Sequence, residues 1–222
     1  MENNEVTNRR ELSVRNTGPA ITIASWLSRK EISPNQISLT SVVCAIAGFF
    51  CLLGYKCEKS ATLLLMAAMF IQLRLLCNLF DGMVAVEGGK KTPAGELFND
   101  LPDRIADPLF IIGTGFIASD NSIWIAWFCS LMAVLTAYIR VLGTSMGCPA
   151  DFCGPMAKQH RMALLTASLI LMFILDTLGM EQGRISYVMT YSLWGMLLGL
   201  FVTCYRRVVK IFNYKNNRVD HV

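Results

Sequence analysis

Acidic and amide side chains recur at helical spacing on both sides of one short loop. Asn78 and Asp81 lie three positions apart before the loop, and Asn99 and Asp103 lie four positions apart after it. Residues at these spacings share a helix face, so each pair would present its oxygen atoms in one direction. Carboxylate and amide oxygens are the ligands that Mg²⁺ and Mn²⁺ prefer. The pattern therefore predicts a divalent-metal site that could bind the phosphates of a substrate.

The segment after the loop carries more negative charge than its neighbours. Four carboxylates on one helix face would repel one another unless a cation or solvent compensates them. Ion pairs are the alternative to a metal: Asp81 could pair with Arg74. Asp103 could likewise pair with Arg104 or Arg140, so that the charges tie the helices together. The acidic stripe consists of Glu96, Asp100, Asp103 and Asp107.

Long apolar runs have to hold these polar groups in place. Hydrophobic residues make up 54% of the 222-residue chain and charged residues only 16%, whereas a soluble domain carries about 25% charged residues. Runs of about 18 apolar residues are typical of membrane-spanning helices. We therefore predict an all-α fold, a polytopic membrane bundle of six transmembrane helices. The six segments are approximately 37–55, 61–86, 97–118, 122–143, 161–178 and 186–206.

A short amphipathic helix is predicted before the bundle. Ile21, Ile23, Ala24 and Leu27 could form its apolar face. Such a helix could lie on an anionic membrane surface or pack against the bundle, and both interpretations remain open. The predicted domains are a cytosolic N-terminal segment at 1–35, the membrane domain at 36–210 and a basic cytosolic tail at 211–222.

Basic residues set the expected orientation of the bundle. With both termini in the cytosol, fourteen of the twenty Lys and Arg residues lie in cytosolic segments and three in outer loops. Positively charged loops favour the cytosolic side of a membrane. The net charge of +4 then follows from topology and gives no indication of nucleic-acid binding. We expect a multi-pass integral membrane protein of a bacterial inner membrane.

The spacing of the polar residues resembles the signature of the CDP-alcohol phosphotransferase family, D-x2-D-G-x2-A-R-x8-G-x3-D-x3-D. Every interval of that signature is kept in this chain. Residues 33–40 and 138–140 are similar to further family positions, so the resemblance covers roughly residues 33–210. The signature positions here are Asn78, Asp81, Gly82, Ala85, Val86, Gly95, Asn99 and Asp103.

The resemblance implies a function and its partners. Such proteins transfer a substituted phosphate from a CDP-linked alcohol to an acceptor alcohol in phospholipid biosynthesis and release CMP. Two divalent ions, Mg²⁺ or Mn²⁺, would hold the diphosphate at the cytosolic side of a six-helix fold. The donor would be a CDP-linked lipid such as CDP-diacylglycerol, reached from the membrane lipids, and a homodimer is suggested.

The resemblance also implies roles for individual residues. Asp81 would be a metal ligand, and Asp103 would be both a ligand and the general base on the acceptor. Asn78 and Asn99 would occupy the remaining ligand positions. The residues that would line the cytidine diphosphate site are Gly82 and Ala85, where small side chains let the diphosphate approach the backbone.

Three signature positions depart from the family pattern. Asn78 and Asn99 stand where the family has Asp, which removes two negative charges from the metal site. Val86 stands where the family has Arg and cannot hold a phosphate by a charge-assisted bond. Asp100, next to Asn99, could restore part of the charge, although one step along a helix turns a side chain by about 100°.

Basic residues outside the signature could bind phosphate instead. Lys158 and Arg161 open the fifth predicted span and could supply the charge that Val86 lacks. Their alternative role is to anchor a helix end at the cytosolic interface. Arg140, in the fourth span, joins this predicted binding set through its family-like position.

Two other functions are compatible with the residues. The substitutions would suit an inactive family descendant that binds a lipid or nucleotide or scaffolds a partner. An acidic stripe within membrane helices would also suit a transporter, but these acids lie beside the cytosolic loop, whereas a transport site lies near the midplane. We therefore predict a metal-dependent phosphotransferase.

Overall fold

Seven helices make up the part of the chain that the computed structural model describes, which is residues 17–87, 95–119 and 122–219. Side chains of five residues within these helices, Glu87, Glu96, Asn99, Arg218 and Val219, are not described. The predicted all-α class is confirmed. The helices are α1 (Gly18–Arg29), α2 (Pro34–Glu58), α3 (Ala61–Glu87), α4 (Gly95–Ile117), α5 (Ile123–Ser145), α6 (Lys158–Thr177) and α7 (Gln182–Val219).

Five of these helices, namely α2, α3, α5, α6 and α7, are long and apolar enough to cross a membrane. The remaining predicted span, α4, has 23 residues but carries the acidic stripe, and it falls outside that group. Large apolar side chains cover the outside of the bundle; Leu131, for example, is 65% exposed. An apolar exterior of this extent suits a lipid environment.

The start of α2 follows from its sequence. Ser33 is the N-cap, and its hydroxyl accepts a hydrogen bond of 3.2 Å from the backbone N–H of Gln36. The Gln36 side chain in turn accepts one of 2.9 Å from the backbone N–H of Ser33. Pro34 suits the first helical position because it lacks an N–H that the helix cannot satisfy there. The family-like segment at 33–40 thus begins with a capping box that sets where α2 begins.

Helix α2 packs closely with both α3 and α4. A Cβ atom on Gly113 of α4 would lie 2.7 Å from Leu52 Cδ1, and one on Gly48 of α2 would collide with the Phe110 ring. Small residues let membrane helices approach this closely. The approach brings the N-terminal end of α2 beside the polar faces of α3 and α4.

Helix α1 packs against the bundle through only part of its predicted apolar face. Ala20 and Ala24 are buried in a cluster with Leu79 and Met83 of α3, and Leu27 packs against it. Ile21 and Ile23, predicted to share that face, are instead exposed, at 43% and 44%. Ala20, Ala24 and Leu27 share one helix face because they lie four and three positions apart, whereas Ile21 and Ile23 lie to either side of that face.

Helix α7 is longer than predicted. It continues from Gln182 through Val219 and so includes most of the segment predicted as a separate basic tail. At 1.5 Å per residue its 38 residues span about 57 Å, well beyond a hydrocarbon core of about 30 Å. Its C-terminal part contacts the loop between α5 and α6.

Candidate functional site

Charged and amide side chains from three helices meet inside the bundle, and we name this group the polar seam. Helices α3 and α4 face each other here through side chains, while their backbones pack mainly on α2, α5 and α6. The predicted meeting of the two polar faces is thus seen. The polar seam consists of Arg74, Asn78 and Asp81 of α3, Asp103 and Asp107 of α4, and Lys158 and Arg161 of α6.

Asp103 is the most heavily contacted member of the polar seam. Its Oδ1 accepts a hydrogen bond of 2.9 Å from Arg74 Nη2 and one of 2.5 Å from Asn78 Nδ2. Its Oδ2 accepts one from Lys158 Nζ. Three donors, two of them cationic, stabilise the charged form of a carboxylate and fix its orientation.

Arg74 connects two acids at the centre of the polar seam. Its side chain is fully buried, and Nη2 contacts Asp103 Oδ1 at 2.9 Å and Asp107 Oδ1 at 2.6 Å. Asp107 Oδ2 also accepts a hydrogen bond of 2.6 Å from Arg161 Nη2. A second bond, of 2.8 Å, joins Arg161 Nη1 to the Met156 carbonyl. Arg161, predicted to bind phosphate, is therefore engaged within the protein.

Two predicted ion pairs are replaced by others. The partner proposed for Asp81 was Arg74, yet Arg74 turns toward α4 and contacts Asp103 instead. The partners proposed for Asp103 were Arg104 and Arg140, but both contact Asp100. The reason is geometric, since Arg74 and Asp103 face each other across the polar seam and Arg104 and Arg140 lie on the α5 side of α4.

Asp81 differs from the other acids of the polar seam because one of its carboxylate oxygens accepts no hydrogen bond of standard geometry. The residue is 4% exposed, and its Oδ2 accepts a hydrogen bond of 2.7 Å from Ser38 Oγ of α2. Its Oδ1 is buried without a hydrogen-bond partner of standard geometry, although the Gly82 N–H lies near the carboxylate. The charges of Lys158 and Asp103 act on it across the polar seam. Ser38 was not identified as a site residue from the sequence, where it appeared only within the family-like segment 33–40.

Asp100 lies outside the polar seam. It accepts hydrogen bonds of 2.7 Å and 3.0 Å from Arg140 Nη2, and Arg104 lies 3.4 Å away. Arg140 also sits over the Phe152 ring, 5.1 Å from its centroid. Asp100 thus points to α5, as expected from one step along the helix, and the side chain of Asn99 lies outside the described residues. The ligand roles of both residues remain predictions.

The loop between α5 and α6 places Lys158 at the polar seam. Arg207 of α7 donates a 3.0 Å hydrogen bond to the Cys153 carbonyl, and the Met156 N–H donates one of 3.1 Å to Thr203 Oγ1. Gly154 adopts a φ of +124°, and a Cβ there would lie 2.5 Å from Thr203 Cγ2, so glycine is required. Helix α7 therefore fixes where α6 begins.

An ion pair strengthens the same attachment. Asp151 Oδ1 accepts a 2.9 Å hydrogen bond from Lys210 Nζ of α7. Burial alone would raise the pKa of Asp151, but hydrogen bonds from Cys153 and Lys210 outweigh it and hold that pKa below its usual value. The loop and the C-terminal part of α7 are thus joined by charge as well as by backbone contacts.

The polar seam fits a divalent ion at one position. Among the described residues, no three His, Cys, Asp or Glu side chains form a ready metal cluster. Asp81 Oδ1 is nevertheless a buried carboxylate oxygen without a partner. Asn78 lies one helical turn away, and because its amide nitrogen bonds Asp103, the atom it can offer an ion is its carbonyl oxygen. Gly82 is buried beside this position, and Ala85 is half-buried.

Replacing Arg74 with alanine is expected to lower the free energy of unfolding by about 3 kcal/mol, at the lower end for a broken buried ion pair. The expected loss is at this lower end because Asp103 still has its ion pair with Lys158 and Asp107 still has its ion pair with Arg161. Unfolding in mixed detergent–SDS micelles, followed by tryptophan fluorescence, measures the change.

Arg104→Ala is the matched control for that variant. Its pair with Asp100 is partly exposed, at 25% and 37%, and should contribute less than about 1 kcal/mol. Equal losses in the two variants would contradict a special structural role of Arg74.

Comparisons with known proteins agree on one family. The family model described as CDP-alcohol phosphatidyltransferase matches residues 31–205. An archaetidylinositol phosphate synthase of Aeropyrum pernix is 33% identical over 159 residues, which are 71% of this chain and 77% of that protein. Two structures of Mycobacterium tuberculosis phosphatidylinositol phosphate synthase share the fold at 18% identity.

Those two structures cover most of both chains. The one in complex with manganese and citrate has a TM-score of 0.70 and covers 86% of this chain and 88% of that one. The one with CDP-DAG bound has a TM-score of 0.69 and covers 86% and 92%.

Proposed function

The chain belongs to the CDP-alcohol phosphatidyltransferase family, and on this premise we propose that the polar seam is its catalytic site and CDP-DAG its donor. As a family member the chain is a transferase of phospholipid biosynthesis that acts on a CDP-linked alcohol. The predicted function is confirmed at that level. The observation that carries the proposed site is the unpartnered, buried oxygen of Asp81 in the same seam as the oriented carboxylate of Asp103.

Asp81 and Asn78 are the residues proposed to hold a divalent ion. The resemblance implies Mg²⁺ or Mn²⁺, and the neighbouring solved structure contains manganese. Such an ion, when bound, neutralises charge on the diphosphate. Ser38 donates a hydrogen bond to Oδ2 of the Asp81 carboxylate. The protein thus sets the orientation of Oδ1 before any ligand binds.

Asp103 is proposed as the general base. The acceptor oxygen attacks the phosphorus atom that carries the lipid, and the bond from that phosphorus to the oxygen of CMP breaks. The hydroxyl proton passes to Asp103, and CMP leaves with the bonding electron pair. Arg74 and Asn78 hold Asp103 Oδ1, so Oδ2 is the oxygen that Lys158 must yield to the acceptor. Catalysis by positioning and charge then requires no covalent intermediate.

Lys158 and Gly82 support the proposed diphosphate site. Lys158 is 28% exposed, so its ammonium can reach a phosphate oxygen as well as Asp103. It is the first residue of α6, where the helix dipole also favours negative charge. Gly82 and Ala85 present little side chain to the donor, and Arg140 lies further out with Asp100.

The membrane arrangement completes the proposal. We place α4 as the sixth span. Its Asp103 and Asp107 face the polar seam and its Asp100 faces α5, while Phe110 and Ile111 are buried in the core. Exposed Ile21, Ile23 and Trp26 on α1 would rest at the membrane surface. Cytosolic termini, a bacterial inner membrane and a homodimer remain predictions.

CMP release tests this function directly. The full-length protein in detergent is supplied with CDP-DAG, Mn²⁺ or Mg²⁺ and a panel of alcohols. The panel includes inositol phosphate, because relatives are named for such products. We expect CMP to form only when donor, metal and one acceptor are all present. Absence of CMP with every acceptor would favour a binding protein.

A further inference from the structure

We infer that the polar seam binds a single divalent cation, and that Lys158 supplies as a fixed charge what a second ion would otherwise supply. The inference rests on the proposed function, since it concerns the same site. It departs from the two ions that the family resemblance implies, and it is argued from this chain's own residues. Three independent features of the polar seam support it.

The first feature is the balance of charge. The three carboxylates of the polar seam are Asp81, Asp103 and Asp107, and three cations accompany them, Arg74, Lys158 and Arg161. The group is therefore neutral before any ion binds. One divalent ion would leave two positive charges to meet a diphosphate, whereas two ions would leave four in a poorly solvated space.

The second feature is the occupation of Asp103. Both of its oxygens already accept hydrogen bonds, from Arg74, Asn78 and Lys158. An ion bound at Asp103 Oδ1 would have to displace Arg74, whose side chain is fully buried. Arg74 would then keep only Asp107, and removing one of the two carboxylates around a buried guanidinium is unfavourable. Asp81 Oδ1 is the carboxylate oxygen of the polar seam that has no such partner.

The third feature is the amide at position 78. Asn78 donates through Nδ2 to Asp103 Oδ1 at 2.5 Å, a bond that a carboxylate at this position cannot make. Aspartate there would instead face Asp103 at close range and would need a cation between them. Asparagine therefore suits a site in which the space beside Asp103 is filled by Lys158.

Lys158 is suited to act as the fixed cation. An ammonium is a compact point charge on a flexible four-carbon stem, and this one contacts Asp103 Oδ2 while 28% of its side chain stays exposed. The loop held by α7 determines where that stem begins, at the first residue of α6. The Lys158 ammonium can therefore contact the transferred phosphate while it remains in the polar seam.

Counting bound Mn²⁺ tests the inference without any turnover. Free Mn²⁺ is measured by electron paramagnetic resonance after equilibrium dialysis of the purified full-length protein in detergent. We expect one ion per chain. The double variant Asn78→Asp with Lys158→Met should bind two, because it restores a carboxylate and removes the fixed cation. The control variant Lys210→Met removes the lysine that pairs with Asp151 outside the polar seam. It should still bind one ion.

The wild-type count decides the matter even if the double variant fails to fold. Two ions of comparable affinity, or none, would overturn the inference, and so would a well-folded double variant that still binds one. The proposed function is judged separately by CMP release. A protein that binds two ions and releases CMP would refute the single-ion site alone, and one that binds a single ion without releasing CMP would refute the proposed function alone.

Discussion

Asp103→Asn is expected to lower the rate of CMP release by about 10²–10⁴-fold, the usual contribution of a general base. Asparagine has the same shape and can still accept a hydrogen bond from Arg74, but it cannot take the acceptor's proton. The loss should therefore appear in kcat, with a smaller change in KM for CDP-DAG. Steady-state CMP release with saturating metal measures both constants.

Asp176→Asn is the matched control for Asp103→Asn. Asp176 is also an aspartate of the helical bundle and accepts a 2.6 Å hydrogen bond from Gln182 Nε2, but it lies at the far end of α6 from Lys158. Its replacement should leave CMP release within about twofold of wild type, a change of less than about 0.5 kcal/mol in the barrier. Full activity of a folded Asp103→Asn protein would exclude Asp103 as the base.

Asp81→Asn is expected to reduce CMP release by two to three orders of magnitude, or about 3–4 kcal/mol of barrier. The amide can keep the hydrogen bond from Ser38, so the fold is spared. What is lost is the negative charge on the oxygen that faces no other partner. Mn²⁺ affinity should fall together with the rate, and this joint loss separates Asp81 from Asp103.

Raising the metal concentration provides the internal check. If Asp81 holds the ion, excess Mn²⁺ should restore part of the activity of Asp81→Asn, because the ion still has the Asn78 carbonyl and the donor's phosphates. The same excess should leave Asp103→Asn unchanged. Unaltered Mn²⁺ affinity in a folded Asp81→Asn protein would show that the ion binds elsewhere.

Helical spacing predicted the polar faces but not their partners. Asn78 and Asp103 were each assigned to a face from three- and four-residue intervals, and their side chains are in hydrogen-bond contact. Spacing gives the direction of a side chain on its own helix and says nothing about the distance to the next helix. Arg74 was therefore paired with its near neighbour in sequence, although it reaches 29 and 33 residues along the chain to α4.

Contacts between helices that are remote in sequence escaped prediction for the same reason. Ser38 and Asp81 are 43 residues apart, and Arg161 and Asp107 are 54 apart. Nothing in their local patterns links them. The length of α7 is a different case, because Val208, Val209, Ile211 and Phe212 continue its apolar pattern beyond the predicted end.

Apolarity alone does not decide whether α4 is a membrane span. Helix α4 carries too much charge to be counted with the other five by apolarity, yet it is the helix that supplies Asp103 and Asp107. Its charges are compensated by Arg74, Lys158 and Arg161, which come from other helices. As the proposed sixth span, α4 would be stable in a membrane only within the folded bundle, which explains why its sequence resembles a surface helix.

Anomalous X-ray scattering from manganese tests the proposed site most directly. In crystals of the full-length protein with Mn²⁺ and CDP-DAG, we predict anomalous density beside Asp81 between α3 and α4. The donor's diphosphate should lie next to it, and Asp103 should face the same space. Density away from Asp81, or carboxylates of Asp81 and Asp103 that point to separate pockets or to lipid, would contradict the account.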